Sequence, residues 1–333
     1  SFPLVVQVAL YGGFRGGETS REQRDWRLNP TILSGEIGVQ GGLGDNVYHV
    51  VTASPSSLPA RLDGFRITGS YANGSYPRGN GGGLYVAQGN TLVVNCAFVD
   101  NSSLHNGGAV SRYGGTLRVV NTVFIDNESN SGGAIYSDPQ DSGLSLANCA
   151  FIGNRASSGG ALYSSWGAPE VANCTFANNT ANAGGAIVTG YGNIIIRNSL
   201  FWGNSDQAIL GSAQVSYSLV QGGYAGAGNL SADPRFFGLA GRDGAPGTAD
   251  DDPRLHPDSP AIDAGSNALI AADLADLDGD GDLAEPVPYD LWGQARRVDV
   301  PGRPDAGAGA PPLVDMGACE AVFWASALPL LQR

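Results

Sequence analysis

The densest run of potential metal ligands in the chain is Asp276-Leu-Asp278-Gly-Asp280-Gly-Asp282. Carboxylates this close together repel one another unless a cation lies between them, and the glycines let the backbone curl so that oxygens converge. The pattern suits Ca²⁺, a hard cation that accepts a flexible shell of oxygen ligands. The first six positions match an EF-hand loop, but the twelfth is Val287 rather than Glu, and no flanking helix pair is evident. An isolated acidic calcium loop is therefore expected. A second group, Asp243, Asp250 and Asp252, has the same chemistry with less regular spacing. In both, Ca²⁺ would be structural, offsetting the entropy lost when a long loop is ordered. The competing reading of each is a solvated acidic turn.

Groups able to do covalent or acid–base chemistry are sparse. All 18 basic residues are Arg, so no lysine base is available. His49, His105 and His256 lie far apart in sequence, outside any nucleophile motif. Asp100 and Asp126 occupy equivalent positions in adjacent repeats, but Gly153, Asn178 and Gly203 continue that column. A carboxylate pair there would suit a glycoside hydrolase. Cys96, Cys149 and Cys174 fall on one repeat position, filled elsewhere by Thr122 and Ser199. Buried free thiols are expected, with a Cys149–Cys174 disulfide the alternative.

These residues are positioned by a repeat of about 25 residues. Phe98, Phe124, Phe151, Phe176 and Phe201 are each followed three residues later by Asn and preceded three residues earlier by Asn95, Asn121, Asn148, Asn173 and Asn198. Gly-Gly pairs recur in the same frame, at Gly107-Gly108, Gly132-Gly133, Gly159-Gly160 and Gly184-Gly185. Between them the apolar residues alternate in short runs, as Leu117/Val119 and Ile194/Ile196 do. A two-residue apolar period over so few residues means strand, and no helical stripe interrupts it. Short strands broken by Gly and Asn make one coil of a right-handed parallel β-helix, an all-β solenoid in which like stacks on like at about 4.8 Å. The five Phe are expected as an interior ladder, each burial contributing roughly 2–3 kcal/mol. The Asn column preceding them is expected at a bend, as a hydrogen-bonded ladder. Tyr85, Tyr136 and Tyr163 follow an inward aliphatic position, so they face out. They are expected either to lie under the C-terminal loops or to offer a carbohydrate-stacking face.

The Gly-Gly-Ala-Ile and Phe-x-x-Asn elements resemble the repeat of chlamydial polymorphic outer-membrane proteins and related bacterial β-helix proteins, over about residues 65–222. The opening Tyr11-Gly-Gly-Phe14, Gln23-Arg24-Asp25-Trp26 and Thr31–Gly35, with the closing Ser259–Gly265 and Asp315-Met-Gly-Ala318, resembles a bacterial extracellular β-helix family with varied surface anchors, the choice-of-anchor group. The resemblance implies export and a cell-surface location.

Composition agrees with this organisation. Gly is 50 of 333 residues and charged residues are only 15%, so Asn, Ser, Thr and Gly must carry the surface. A net charge of −13 disfavours nucleic-acid binding, which needs a basic face. No apolar run is long enough to span a bilayer. The opening SFPLVVQVAL lacks a basic region, so a processed chain is expected. Residues 1–62 read as an N-terminal cap with the first irregular coils, and 63–222 as regular coils. Residues 223–333 read as a loop-rich, Asp-rich extension with a strand at about 313–320 and an apolar tail after it. The function expected is a secreted, cell-surface, structural or adhesive protein, non-catalytic and stiffened by calcium. Its partners would be other surface proteins, polysaccharide or its own copies. The alternatives are a β-helix polysaccharide lyase or glycoside hydrolase, and a carbohydrate-binding surface protein using the Tyr column.

Overall fold

The computed structural model describes residues 1–321 apart from Val6, Ser54, Ser56, Ser57, Gln140, Ser142, Pro246, Gly247, Ala249 and Asp250. The apolar tail beyond residue 321 lies outside the described residues. Each repeat contributes three short strands, and equivalent strands pair in parallel from coil to coil. Three eight-stranded sheets result. One runs from Phe2–Leu4 to Ile209–Leu210 and includes Leu84–Val86, Ile135–Ser137 and Leu162–Gly167; we call it the Tyr sheet. A second, the aliphatic sheet, runs from Ala9–Tyr11 to Ala213–Ser216 through Leu117–Val120. The third, the Phe sheet, runs from Thr31–Ser34 to Leu219–Val220 through Ala150–Ile152. A four-stranded sheet from Tyr71–Ala72 to Arg155–Ser158 completes the coil wall. The molecule is a right-handed parallel β-helix, and strands from the first residues onward already pair into its sheets.

Register explains the interior. Phe98, Phe124, Phe151, Phe176 and Phe201 pair directly with one another and form a single enclosed column. Ring centroids are 5.2, 4.7, 4.6 and 4.6 Å apart, with planes within 7° of parallel. A continuous ladder of Asn side chains runs beside them, but it is built from the Asn after each Phe. Asn101, Asn127, Asn154 and Asn179 each donate from Nδ2 to the Oδ1 of the next, at 2.9–3.1 Å, ending at Asn204. The same Oδ1 atoms accept the backbone N–H of the coil before. Every member is thus satisfied in the dry interior.

The Asn before each Phe has another role, which corrects the expected ladder. Asn95, Asn121, Asn148, Asn173 and Asn198 all take left-handed backbone conformations, with φ between 48° and 52°. Only one bond joins this column, from Asn148 Nδ2 to Asn121 Oδ1. Left-handed φ at the bend directs the side chain out of the Phe column, and three of the five find partners elsewhere, while both amide atoms of Asn173 are buried without one among the described residues. Asn95 donates to Asp63, Asn148 to the Tyr289 carbonyl and Asn198 to the Ser266 carbonyl.

The Gly-Gly pairs serve two purposes. The first glycine of each takes positive φ, from 60° at Gly184 to 65° at Gly132 and Gly159. The second sits so close to the next coil that a Cβ at Gly133 would lie 2.1 Å from the Gly160 carbonyl oxygen. Coil stacking therefore excludes any larger residue there.

The extension from residue 223 is mostly loop, with one antiparallel pair between Phe236–Gly238 and Asp252–Leu255. It packs along the outer face of the Phe sheet and, through Ala271, Ala275 and Leu277, against Val94, Val120 and Ala147 of the aliphatic sheet. Leu291, Trp292, Ala318 and Cys319 cover the outward Val99, Ile125 and Ile152. Residues 313–320 do not form the expected strand. Val314 and Met316 bond to the 261–265 segment, Gly317 to Asn198 and Ala318 to Leu291, so these residues share no single partner strand. Gly317 at φ +101° also breaks the extended run.

Candidate functional site

Two features could act on something outside the fold: acidic clusters in the extension and an aromatic face on the coils. In the first acidic loop, carboxylate oxygens of Asp276, Asp278 and Asp280 lie within 4.8 Å of one another. A second overlapping group joins Asp278 to Asp273 and Glu285. The loop shapes itself through Asx turns. Asp276 Oδ1 accepts from Gly281 N at 3.0 Å, and Asp280 Oδ1 accepts from Asp282 N at 2.7 Å. Asp273 is fully buried and accepts from the Ala275 and Leu277 N–H groups. Glu285 Oε1 is buried with no hydrogen-bond partner among the described residues. Burial, then the charges of Asp278, Asp280 and Asp282, push its carboxyl above the usual range. An orphaned acid oxygen among four carboxylates fits a hard divalent cation.

Asp282 does not join these groups. It is exposed and accepts from Ala284 N at 2.9 Å. Asp273 and Glu285 were not singled out from the sequence. The available signal was the continuation of acids on both sides of the alternating run.

Of the second acidic group, the described members Asp243 and Asp252 each have local partners. Asp250 lies outside the described residues. Asp252 is held by Arg254, Oδ2 to Nη2 at 2.7 Å, because the two share a strand at i and i+2. Asp243 accepts from Ala245 N at 2.8 Å and from Thr248 Oγ1 at 3.1 Å, closing its own turn.

On the Tyr sheet, Tyr85, Ser111, Tyr136 and Tyr163 stand in direct register. Tyr113 swings back to fill the gap at Ser111, with its ring 5.8 Å from Tyr85 and 5.7 Å from Tyr136. His49 extends the stack at 5.0 Å from Tyr85. Tyr85 is buried while Tyr136 and Tyr163 are half-buried, so the column is largely self-covered. Among the described residues, the apolar contacts of the extension are with the Phe and aliphatic sheets rather than with this column. The exposed aromatics are at its margins. Tyr191 is 77% exposed and stacks on Trp166 at 4.4 Å, and Tyr76 is 68% exposed against Tyr113.

Elsewhere, Asp126 bonds Arg155 at 3.1 Å, and burial pushes its carboxyl up to about 6. All four cysteines are free and buried. Burial pushes the Cys96 thiol up to about 12, which makes it inert.

A further network was invisible in the sequence. Asp290, Arg296, Asp315 and Glu320 are all buried. Arg296 Nε lies 3.4 Å from Glu320 Oε1, and Asp290 Oδ2 accepts from Glu320 N at 2.8 Å. Burial raises all three carboxyls, that of Asp315 to about 7, with Arg296 opposing.

Comparison with known proteins bears on the coils. Three segments match the Chlamydia polymorphic membrane protein repeat. They are residues 121–138, 148–165 and 173–190. Each begins at a left-handed Asn, passes through the interior Phe, the ladder Asn and the Gly pair, and ends at the Tyr sheet. The match thus covers the residues that make a coil stack. A search of curated proteins finds no match to the chain. Among the described residues, no helix is long and apolar enough to cross a membrane.

Proposed function

We propose that the chain is an extracellular, surface-located β-helix acting as a rigid structural or adhesive element, without catalysis, and that calcium orders its C-terminal extension. The observation carrying this reading is the uniform stack of coils with polymorphic-membrane-protein repeats, bound along the Phe and aliphatic sheets to an extension rich in converging carboxylates. A solenoid whose interior is filled by register-matched columns is stiff along its axis and presents a long face to partners. Asp273, Asp276, Asp278, Asp280 and Glu285 would hold the ion. Chelation with EDTA should lower the melting temperature, and restoring Ca²⁺ should reverse the loss. An unchanged melting curve would remove calcium from this account.

Carbohydrate contact is a second reading, favoured by the exposed Trp166–Tyr191 pair. Flat aromatic faces bury the apolar faces of sugar rings. Tyr191→Ala should weaken retention on a surface-polysaccharide column while leaving the melting temperature unchanged. Equal retention of parent and variant would exclude this pair as the contact.

A further inference from the structure

Asp263 precedes the acidic loop at 273–285 by ten residues and belongs to a separate group of carboxylates. It is fully buried, in a cluster with Ala261, Ile262 and Ala264. Its backbone is fixed at φ +52°, with its N–H donating to Asp315 Oδ1 at 2.7 Å and its carbonyl accepting from Ala306 and Gly307. Its side chain is not satisfied. Neither carboxylate oxygen has a hydrogen-bond partner among the described residues. A carboxylate buried in this way is costly unless a positive charge meets it.

Two more carboxylates converge on it. One oxygen each from Asp263, Asp299 and Asp305 lies within 4.8 Å of the others. Arg303, on the same loop as Asp299 and Asp305, does not neutralise the group by contact. Its Nη2 donates to the Pro257 carbonyl and lies 3.3 Å from Asp258 Oδ1. Burial pushes the Asp263 carboxyl up to about 6, and the charges of Asp299 and Asp305 act in the same direction, against the Val300 backbone and Arg303.

The geometry points to a divalent-cation site of the Ca²⁺ class, built from Asp263, Asp299 and Asp305. Its buried ligand is anchored by backbone bonds on both sides. Its two other ligands are exposed, leaving the outer side open to water, which completes an oxygen shell. The ion would fasten the 299–305 loop to the Ser259–Gly265 segment. Through the Asp263 N–H, it would also touch the buried Asp315 network. The site is independent of the 273–285 loop and of any surface role.

Calorimetric titration of the chelator-stripped chain with CaCl₂ tests it. Asp263→Asn should lose one class of sites that Asp278→Asn keeps. Asp305→Asn changes an exposed residue and should fold normally, yet weaken that class by about tenfold or more. In EDTA, Asp263→Asn should melt no lower than the parent, because it removes an unpaired buried charge. With Ca²⁺, it should gain less in melting temperature than the parent does. The inference is overturned if Asp263→Asn and Asp305→Asn bind as many ions as the parent, with the same affinity.

Discussion

At the residue scale, columns decide everything. Each of the five column Phe has another directly above or below it, 4.6 to 5.2 Å away. Phe151 sits in the middle of that stack with no exposed surface. Removing its ring leaves a cavity that neighbouring coils cannot close, since their positions are set by backbone pairing on three sheets. Phe151→Ala should therefore cost roughly 3–5 kcal/mol. Chemical denaturation would measure it, and a variant as stable as the parent would mean the column is not what holds the coils. The Phe column was legible because its spacing and residue type repeat together. The two Asn columns were harder to tell apart, because each recurs with the same period. What separates them is backbone conformation: left-handed φ at Asn148 sends its amide to Tyr289, while Asn154 stays inside. Residue identity alone does not carry that sign.

Between elements, the extension and the coils are joined mainly by polar bonds at the bends and by apolar cover on the Phe and aliphatic sheets. Little of this was readable in the sequence. The extension has no period, and its partners lie as far as 214 positions away, as in the bond from Arg61 Nη1 to the Ala275 carbonyl. The expected strand at 313–320 failed for the same reason: an apolar run predicts extension, not a pairing partner. The buried Asp290–Arg296–Asp315–Glu320 network gives this contact a pH dependence. Asp315 has its carboxyl raised to about 7 in the folded chain. Folding therefore favours its protonated form. That stabilisation is fully present below the ordinary carboxylate range and fades as pH rises through about 7. Asp126 and Asp263, each raised to about 6, act in the same direction. In EDTA, the melting temperature at pH 5 should exceed that at pH 8 by roughly 3 °C or more. A higher value at pH 8 would show that these carboxyls are not buried as described.

The whole molecule combines two parts of unlike construction. The coils are self-consistent: strand register, Phe stack, Asn ladder and Gly pairs all require the same period. The extension gains its order from docking and, in this account, from calcium. These parts should respond differently to removal of the ion. Hydrogen–deuterium exchange followed by peptide mass spectrometry, with Ca²⁺ and with EDTA, separates them directly. The prediction is faster exchange in peptides from 259–305 after chelation, with protection of the coil strands between 84 and 202 unchanged. Identical exchange under both conditions, or loss of protection in the coils and extension together, would contradict it.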